Sequence, residues 1–484
     1  MAETAVPRIK PDVSAAGPVD LRRAHFVGVG GMGMLPVARV CAERGFSVSG
    51  SDERTSEGLK ELDRLGVSVY TGHAAEQVPA DATAVVFTHA IGPDNPEILE
   101  ARRRGIPVVH RSAALSMLMS TARTPVAIMG THGKSSTAAM VALALTRMGQ
   151  APSHVVGTDI DEPGTGGRSG ADGFFVAEVD ESDRSHIGVG MKVAVITNVA
   201  QDHPENYAEE LDHVDAYEKC VRTGIHADGT LVLNADSPGC RELASRLAMS
   251  GDGPRVITFG MSSGADWQLV DASSLGGRST AVLRGPGGRE VELTLRLPGV
   301  HQLLNAAAGI ATLEVLGQDI DQAVQHLWYF DGVARRMTPA GEKAGVRVYD
   351  SYAHHPDEVS ADLAAARSLV GSDGRVLVVF QPSDQRRLDT FDIAFGKALV
   401  GCDEAVLTDS TAGVDLAALE RLAARIDGAG GNARSVEPDR AEAVVRAAGL
   451  ARPGDVVVLM GTGDIAESGP VLRAALGELV ASAA

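Results

Sequence analysis

Residues 128–137 read IMGTHGKSST, and the architecture of the chain depends on whether they form a phosphate-binding loop. Gly133, Lys134 and Ser135 supply the Gly-Lys-Ser/Thr ending that such loops carry. The strict pattern, however, places a glycine five positions ahead of Gly133, where this chain has Ile128. A phosphate cradle needs successive backbone N–H groups aimed inward, a lysine over the terminal phosphates and a hydroxyl for magnesium. Gly130, Gly133, Lys134 and Ser135 offer all three directly after the apolar run PVAIM at 125–129. The absent outer glycine then describes a shorter loop. A Gly-Lys-Ser turn that binds nothing is the plainer alternative.

Outward from the loop, short β-branched runs alternate with alanine- and leucine-rich helical stretches. On the N-terminal side lie AHFVGV (24–29), FSVSGSD (46–52), TAVVFTHA (83–90) and IPVVHR (106–111). On the C-terminal side follow GFFVAEVD (173–180), KVAVITN (192–198) and GTLVLNAD (229–236). Such alternation predicts parallel sheets covered by helices on both faces. Between about 254 and 297 the Gly-rich turns and period-two alternation predict antiparallel hairpins instead. A third series has GVRVYDSY (345–352), RVLVVFQP (375–382), DEAVLTD (403–409) and DVVVLMGTGD (455–464) as its strands. The expected organisation is a flexible tail over 1–23 and three α/β domains over 24–121, 122–335 and 336–484.

Two further constellations carry chemistry. GVGGMG sets Gly28, Gly30 and Gly33 in a G-x-G-x-x-G between a strand and a helix, with Asp52 at the end of the next strand. Glycines there let the backbone approach a diphosphate resting on the helix N-terminus, and an acid at that distance reads a ribose. The motif names no particular nucleotide. NAD is its ordinary occupant, and glycines serving only strand–helix packing are the structural alternative. Beside the phosphate loop, one strand ends in Glu178, Asp180, Glu181 and Asp183, and the next in Asn198, Asp202 and His203. A parallel sheet presents its ligands at such strand ends. Hard oxygen donors there suit Mg²⁺, and a histidine can fill one position. A solvated acidic turn and a surface histidine are the competing readings.

The bulk properties exclude more than they assign. With 484 residues the chain exceeds one hydrophobic core. A net charge of −19 argues against a partner made of nucleic acid or anionic membrane. The longest apolar run, AAMVALAL at 138–145, is far short of a membrane span. The N-terminus lacks the apolar stretch of a signal peptide. Cys41, Cys220, Cys240 and Cys402 are scattered without a CxxC pair, which fits a reducing, cytoplasmic setting.

PGVHQLLNAAAGIA (298–311), FDGVARRM (330–337), YDSYAHHPDEV (349–359) and GTGD (461–464) match no generic motif. In YDSYAHHPDEV, Pro356 predicts a helix start, leaving His354 and His355 as capping, metal-binding or catalytic candidates. Taken in order with GTHGKSST, these stretches resemble the Mur ligase family over residues 24–484. The resemblance implies a Rossmann-like N-terminal domain for a UDP-sugar and a central P-loop ATPase domain combining a mostly parallel and a small antiparallel sheet. A Rossmann-like C-terminal domain would receive an amino acid. It implies ATP held by Gly130, Thr131, His132, Gly133, Lys134, Ser135 and Ser136, with Asn305, Arg336 and Asp350 at the nucleoside. Mg²⁺ would be ligated by Ser135, Glu178 and His203, and Lys134, Glu178 and His203 would act in catalysis. Gly28, Gly30, Gly31, Gly33, Asp52, His89, Arg111, Asp180, Glu181 and Ser182 would hold the sugar nucleotide, and Tyr352, His354 and Arg387 would lie near the amino acid.

The implied activity is ATP-dependent addition of L-alanine to the lactyl carboxylate of UDP-N-acetylmuramate, a step of cell-wall peptidoglycan synthesis tied to cell shape and division. Departures from the family pattern cluster in the third domain, at Ser383, Arg386, Arg387, Leu388 and 410–413, with Gln302 and Ser351 besides. They leave open a paralogue that joins another amine or carboxylate, and the oligomeric state is likewise open. An NAD-dependent oxidoreductase would leave GTHGKSST unexplained, and a nucleotide binder without activity would not need Lys134, Glu178 and His203.

Overall fold

Each of the three series builds one sheet. The structure, a computed structural model, describes residues 19–160, 165–251, 253–409 and 413–483. The expected tail therefore lies outside the described residues as far as residue 18, as do positions 410–412. In the first sheet, β1 (Arg23–Val27), β2 (Ser47–Asp52), β3 (Ser68–Thr71), β4 (Ala84–Phe87) and β5 (Val108–His110) run parallel in the order β3-β2-β1-β4-β5. The order reverses between β1 and β4, so the C-terminal edge there opens a crevice, and the Gly28–Gly33 loop leaves β1 into it.

The second sheet holds β6 (Thr124–Met129), β7 (Pro152–Val155), β8 (Gly167–Arg168), β9 (Ala171–Glu178), β10 (Met191–Ile196), β11 (Ile225–Asn234) and β12 (Arg255–Gly260). Strand β6 is flanked by β10 and β9, and Val126, Ala127, Ile128 and Met129 are all fully buried. A near-continuous apolar run is what a strand covered on both faces requires. Strand β12 departs from the antiparallel expectation, since it pairs parallel to β11 through Thr230↔Arg255. The reason is the intervening helix Pro238–Ser250, which Ser237 caps and Gly251 ends in the left-handed conformation. The glycine at 251 is a helix terminator, not a hairpin turn. The hairpins do follow, as β13 (Trp267–Leu275), β14 (Arg278–Gly285) and β15 (Arg289–Leu295), neighbours in chain order.

The third sheet has the order β16-β17-β21-β18-β19-β20, from β16 (Arg336–Lys343), β17 (Val346–Ser351), β18 (Val376–Gln381), β19 (Glu404–Leu407), β20 (Ala433–Val436) and β21 (Val456–Gly461). Edge strand β16 is antiparallel to β17, and the other four pairs are parallel. The three-domain α/β architecture is thus one wholly parallel sheet and two mostly parallel sheets that also carry antiparallel pairs.

By packing, the chain divides into two compact units. Among the described residues, one takes those up to Gln268 with Arg284–Arg289 and Asn305–Leu327, and the other takes Leu269–Leu283, Glu290–Leu304 and those from Trp328 onward. Within the first unit a single apolar cluster runs from Phe26, Val37 and Leu118 to Met129, Phe175 and Ile196. Burial in one contiguous cluster couples the first two sheets, since opening it would expose apolar surface to water.

Candidate functional site

The loop leaving β6 is built as a cradle. Gly130 has φ +123° and Gly133 φ +83°, a region L side chains rarely adopt. A Cβ on Gly130 would lie 2.8 Å from Thr197 N, and one on Gly133 would meet the Asn305 amide. The loop backbone is pinned from β10, because His132 N donates to Asn198 Oδ1 (3.0 Å) and Asn198 Nδ2 donates to His132 O (2.9 Å). Tyr217 OH accepts from Gly130 N at 3.1 Å, a contact no motif announces. The helix Lys134–Arg147 begins at Gly133 with no side-chain cap. Its first N–H groups have no intrahelical partner and the helix dipole favours an anion there, so the loop suits a polyphosphate.

Lys134 Nζ donates to Gly130 O (2.7 Å), Thr131 O (3.1 Å) and the Glu181 carboxylate (3.0 Å). Burial opposes its charge, but Glu181, Asp180 and Glu178 outweigh that and raise its pKa. Glu178, at the end of β9, accepts from Ser135 Oγ (2.9 Å) and from Gly157 N (2.7 Å). A hydroxyl and a carboxylate oxygen side by side under the loop are a donor set that fits Mg²⁺. His203, at φ +50°, has Nε2 at 3.6 Å from Asp202 and 4.0 Å from Glu181, with Nδ1 at 3.5 Å from Glu205. Burial opposes its cation too, but Glu205, Asp202 and Glu181 prevail and raise its pKa. Ser136, buried in the first helical turn, makes no contact that sets it apart, and Thr131 Oγ1 ties the loop to Ala200 (2.9 Å).

The sugar-nucleotide candidates meet this cluster inside the same unit. Arg111 Nη2 donates to Asp180 Oδ2 at 3.0 Å, and its guanidinium fills the space where a Cβ on Gly33 would stand. Ser182 caps the same carboxylate through N (3.0 Å) and Oγ (2.9 Å). Asp52 Oδ2 accepts from Gly30 N at 2.9 Å, which anchors the glycine loop to the end of β2. Gly31 N donates to Gly28 O within that loop. His89 Nδ1 and His110 Nε2 stand 3.4 and 3.1 Å from Asp183. Burial works against the Asp183 carboxylate, yet these two histidines hold its pKa well below the usual range. His110 gives no signal in the sequence, because its partner Asp183 lies in the turn after β9, far along the chain.

In the second unit, Arg336 donates to Glu358 (2.9 Å), and His354 Nδ1 lies 3.2 Å from the same carboxylate. The guanidinium groups of Arg335 and Arg336 lie 4.9 and 5.4 Å from the Tyr352 ring centroid, which in turn meets the His354 ring edge-on at 5.2 Å. Arg335, which no motif marks, donates to Asp350 at 3.3 Å and to the carbonyl of Thr462 at 3.1 Å. Of the adjacent histidines, His355 is the helix cap, accepting from Asp357 N at 3.3 Å, and His354 is not. Arg387 is nearly buried behind the Asp384 cap of its own helix. Gln381 Nε2 bridges Asp409 O (2.7 Å) and Asp464 Oδ1 (2.8 Å), which ties the GTGD turn to β18.

A phosphate cradle beside acidic strand ends is the arrangement of a nucleotide-binding enzyme, and three Mur ligase family domains match the chain in order. They are the catalytic domain over residues 23–123, the middle domain over 128–313 and the glutamate ligase domain over 335–463. The chain belongs to the Mur ligase family. It is 42% identical over 457 residues to a UDP-N-acetylmuramate–L-alanine ligase of Streptomyces avermitilis, covering 94% of this chain and 97% of the relative. A Thermobifida fusca protein of the same name is 41% identical over 471 residues, again 94% and 97% of the two chains. The solved UDP-N-acetylmuramate–alanine ligase of Thermotoga maritima superposes with a TM-score of 0.78 at 29% identity, over 95% of this chain and 99% of that one. A murein peptide ligase of Psychrobacter arcticus, 20% identical with a TM-score of 0.70 over 94% and 98% of the chains, shares the fold.

Proposed function

We propose that the chain joins L-alanine to the lactyl carboxylate of UDP-N-acetylmuramate at the expense of ATP, in peptidoglycan precursor synthesis. The observation that carries this reading is the 42% identity to an alanine-adding ligase over nearly the whole of both chains. The relatives at about 40% identity carry the alanine-adding name and do not favour a different amine or carboxylate, so the third-domain departures are read as variation within the same activity. ATP-dependent amide formation is the chemistry, small molecules are the substrates, and the cytoplasm is the proposed compartment. The proposed working division follows the sequence domains at 24–121, 122–335 and 336–484.

A carboxylate does not accept an amine in water, because oxide is too poor a leaving group. The lactyl carboxylate oxygen attacks the γ-phosphorus of ATP, the bond to the β-phosphate oxygen breaks, and ADP leaves. The amine of L-alanine then attacks the acyl carbon of the resulting acyl phosphate. The tetrahedral adduct expels inorganic phosphate and loses a proton to give the amide. Such a transfer needs alignment and charge neutralisation more than covalent help from the protein.

Lys134 is proposed to lie over the terminal phosphates and spread their charge. Ser135, Glu178 and His203 are proposed to hold Mg²⁺, which when bound neutralises phosphate charge. Gly28 to Gly33, Asp52 and Arg111 are assigned to the uridine diphosphate and Asp180, Glu181, Ser182 and His89 to the sugar end. In the second unit Arg336 and Asp350 are assigned to the nucleoside of ATP and Tyr352, His354 and Arg387 to the amino acid. Phosphate release measured with UDP-N-acetylmuramate against the twenty amino acids, with product masses, tests the reading. Strongest turnover with L-alanine is expected, and a preference for another amine would overturn it. Hydroxylamine should intercept the acyl phosphate as a hydroxamate.

A further inference from the structure

The first sheet buries a carboxylate that the proposed chemistry does not use. Asn95-Pro96-Glu97 opens the helix Pro96–Arg104, with Asn95 Oδ1 accepting from Glu97 N (2.9 Å) and Ile98 N (3.3 Å). A cap followed by proline fixes that start, so the direction of Glu97 is set locally. Its side chain is fully buried, beside a cluster of Val27, Val85, Phe87, Ile98 and Ala101. An ionised carboxylate in such a place is costly unless it is fully partnered. Ser51 Oγ donates to Glu97 at 2.6 Å, His73 Nδ1 lies at 3.2 Å and His25 Nε2 at 3.5 Å, and His25 Nδ1 is 2.8 Å from Ser49 Oγ. Burial alone would raise its pKa, and these partners outweigh it and hold the group as a carboxylate.

What the carboxylate holds is the frame of the glycine loop. Ser51 O accepts from both Gly28 N (2.8 Å) and Val29 N (2.9 Å), and the next residue, Asp52, accepts from Gly30 N through Oδ2 (2.9 Å). Asp52 O accepts from Gly72 N at 2.8 Å, one residue before His73. One buried oxygen of Glu97 therefore clamps the ends of β2 and β3 at the point from which the loop hangs. We propose that Glu97 is a positioning residue for the Gly28–Gly33 loop, acting through Ser51 and His73, and that it sets affinity for the uridine diphosphate group. The proposal rests on the reading of that loop given above. Holding groups in place through buried hydrogen bonds is how binding sites on rigid elements are kept in register.

The test is calorimetric titration of the full chain with uridine diphosphate, with steady-state kinetics alongside. Glu97→Gln keeps the volume and removes the charge. It is expected to weaken uridine diphosphate about tenfold and to raise the KM for UDP-N-acetylmuramate equally, with kcat and the KM for ATP within about twofold. Ser51→Ala, which removes only the hydroxyl, is expected to weaken binding about threefold. A role confined to stability would lower the melting temperature without this split in KM. Folded Glu97→Gln that binds uridine diphosphate like the parent overturns the proposal. Should that variant not fold, Ser51→Ala decides, unchanged binding counting against. Failure of the parent chain itself to bind uridine diphosphate would sink the loop reading, and is distinct from a parent that binds with variants that match it.

Discussion

Lys134 Nζ stands 3.0 Å from the Glu181 carboxylate while donating to two carbonyls of its own loop. The lysine is thus held beside the loop by a carboxylate and two carbonyls, and in the proposed function it turns from them to the terminal phosphates of ATP. Lys134→Ala is expected to lower phosphate release by about 10²–10³-fold. Uridine diphosphate binding should stay close to the parent's, because the glycine loop on the first sheet shares no hydrogen bond with Lys134. Equal loss of both, by calorimetry and phosphate assay, would show that the two sites are one.

His203 adopts φ +50° between Asp202, Glu205 and Glu181. Strain of this kind in a non-glycine residue persists only where the surroundings hold it, and it gathers at functional sites. His203→Ala is expected to reduce kcat more than ATP affinity, and chelation of divalent cations to abolish turnover while leaving uridine diphosphate bound. Parental turnover of the variant at saturating Mg²⁺ would remove the histidine from the mechanism.

Gly130 has φ +123° and backbone atoms of Thr197 and Asn198 within 3.0 Å of the Cβ position. Gly130→Ala meets both strain and overlap, which together cost about 3 kcal/mol. Chemical denaturation should show that loss, and ATP binding should fail with it. A variant as stable as the parent would mean that the loop relaxes freely.

His186 and His213 are buried in the first unit, and burial lowers each to about 4 from 6.5. Both are neutral in the folded chain, so below pH 6.5 the unfolded state binds more protons. Their contribution is fully present above pH 6.5 and is lost as pH falls towards 4, up to about 3 kcal/mol for each. Melting temperature should fall through that window, and His186→Phe should flatten the slope. A parent curve that is level between pH 6.5 and 4 would contradict the assignment.

The two strongest motifs were legible because they are local. GVGGMG and GTHGKSST each place a strand, a turn and a helix within about a dozen residues, and the conformations needed at Gly130 and Gly133 exclude a side chain. The direction of β12 is not legible in the sequence, because strand pairing is set by the helix Pro238–Ser250 between the partners.

Alternating strands and helices and short-range turn chemistry are enough to specify three α/β domains and a nucleotide loop, since each element depends on neighbours a few positions away. The partners of that loop are another matter. Ser135 meets Glu178 across 43 residues, Arg111 meets Asp180 across 69, and Gly130 meets Tyr217 across 87. Those pairings, like the clamp of Glu97 on Ser51 and the choice of His355 over His354 as a cap, follow from sheet order, register and close packing. They exist only once distant strands share an edge, because hydrogen bonds and charges act over a few ångströms of space, and chain separation says nothing about that distance.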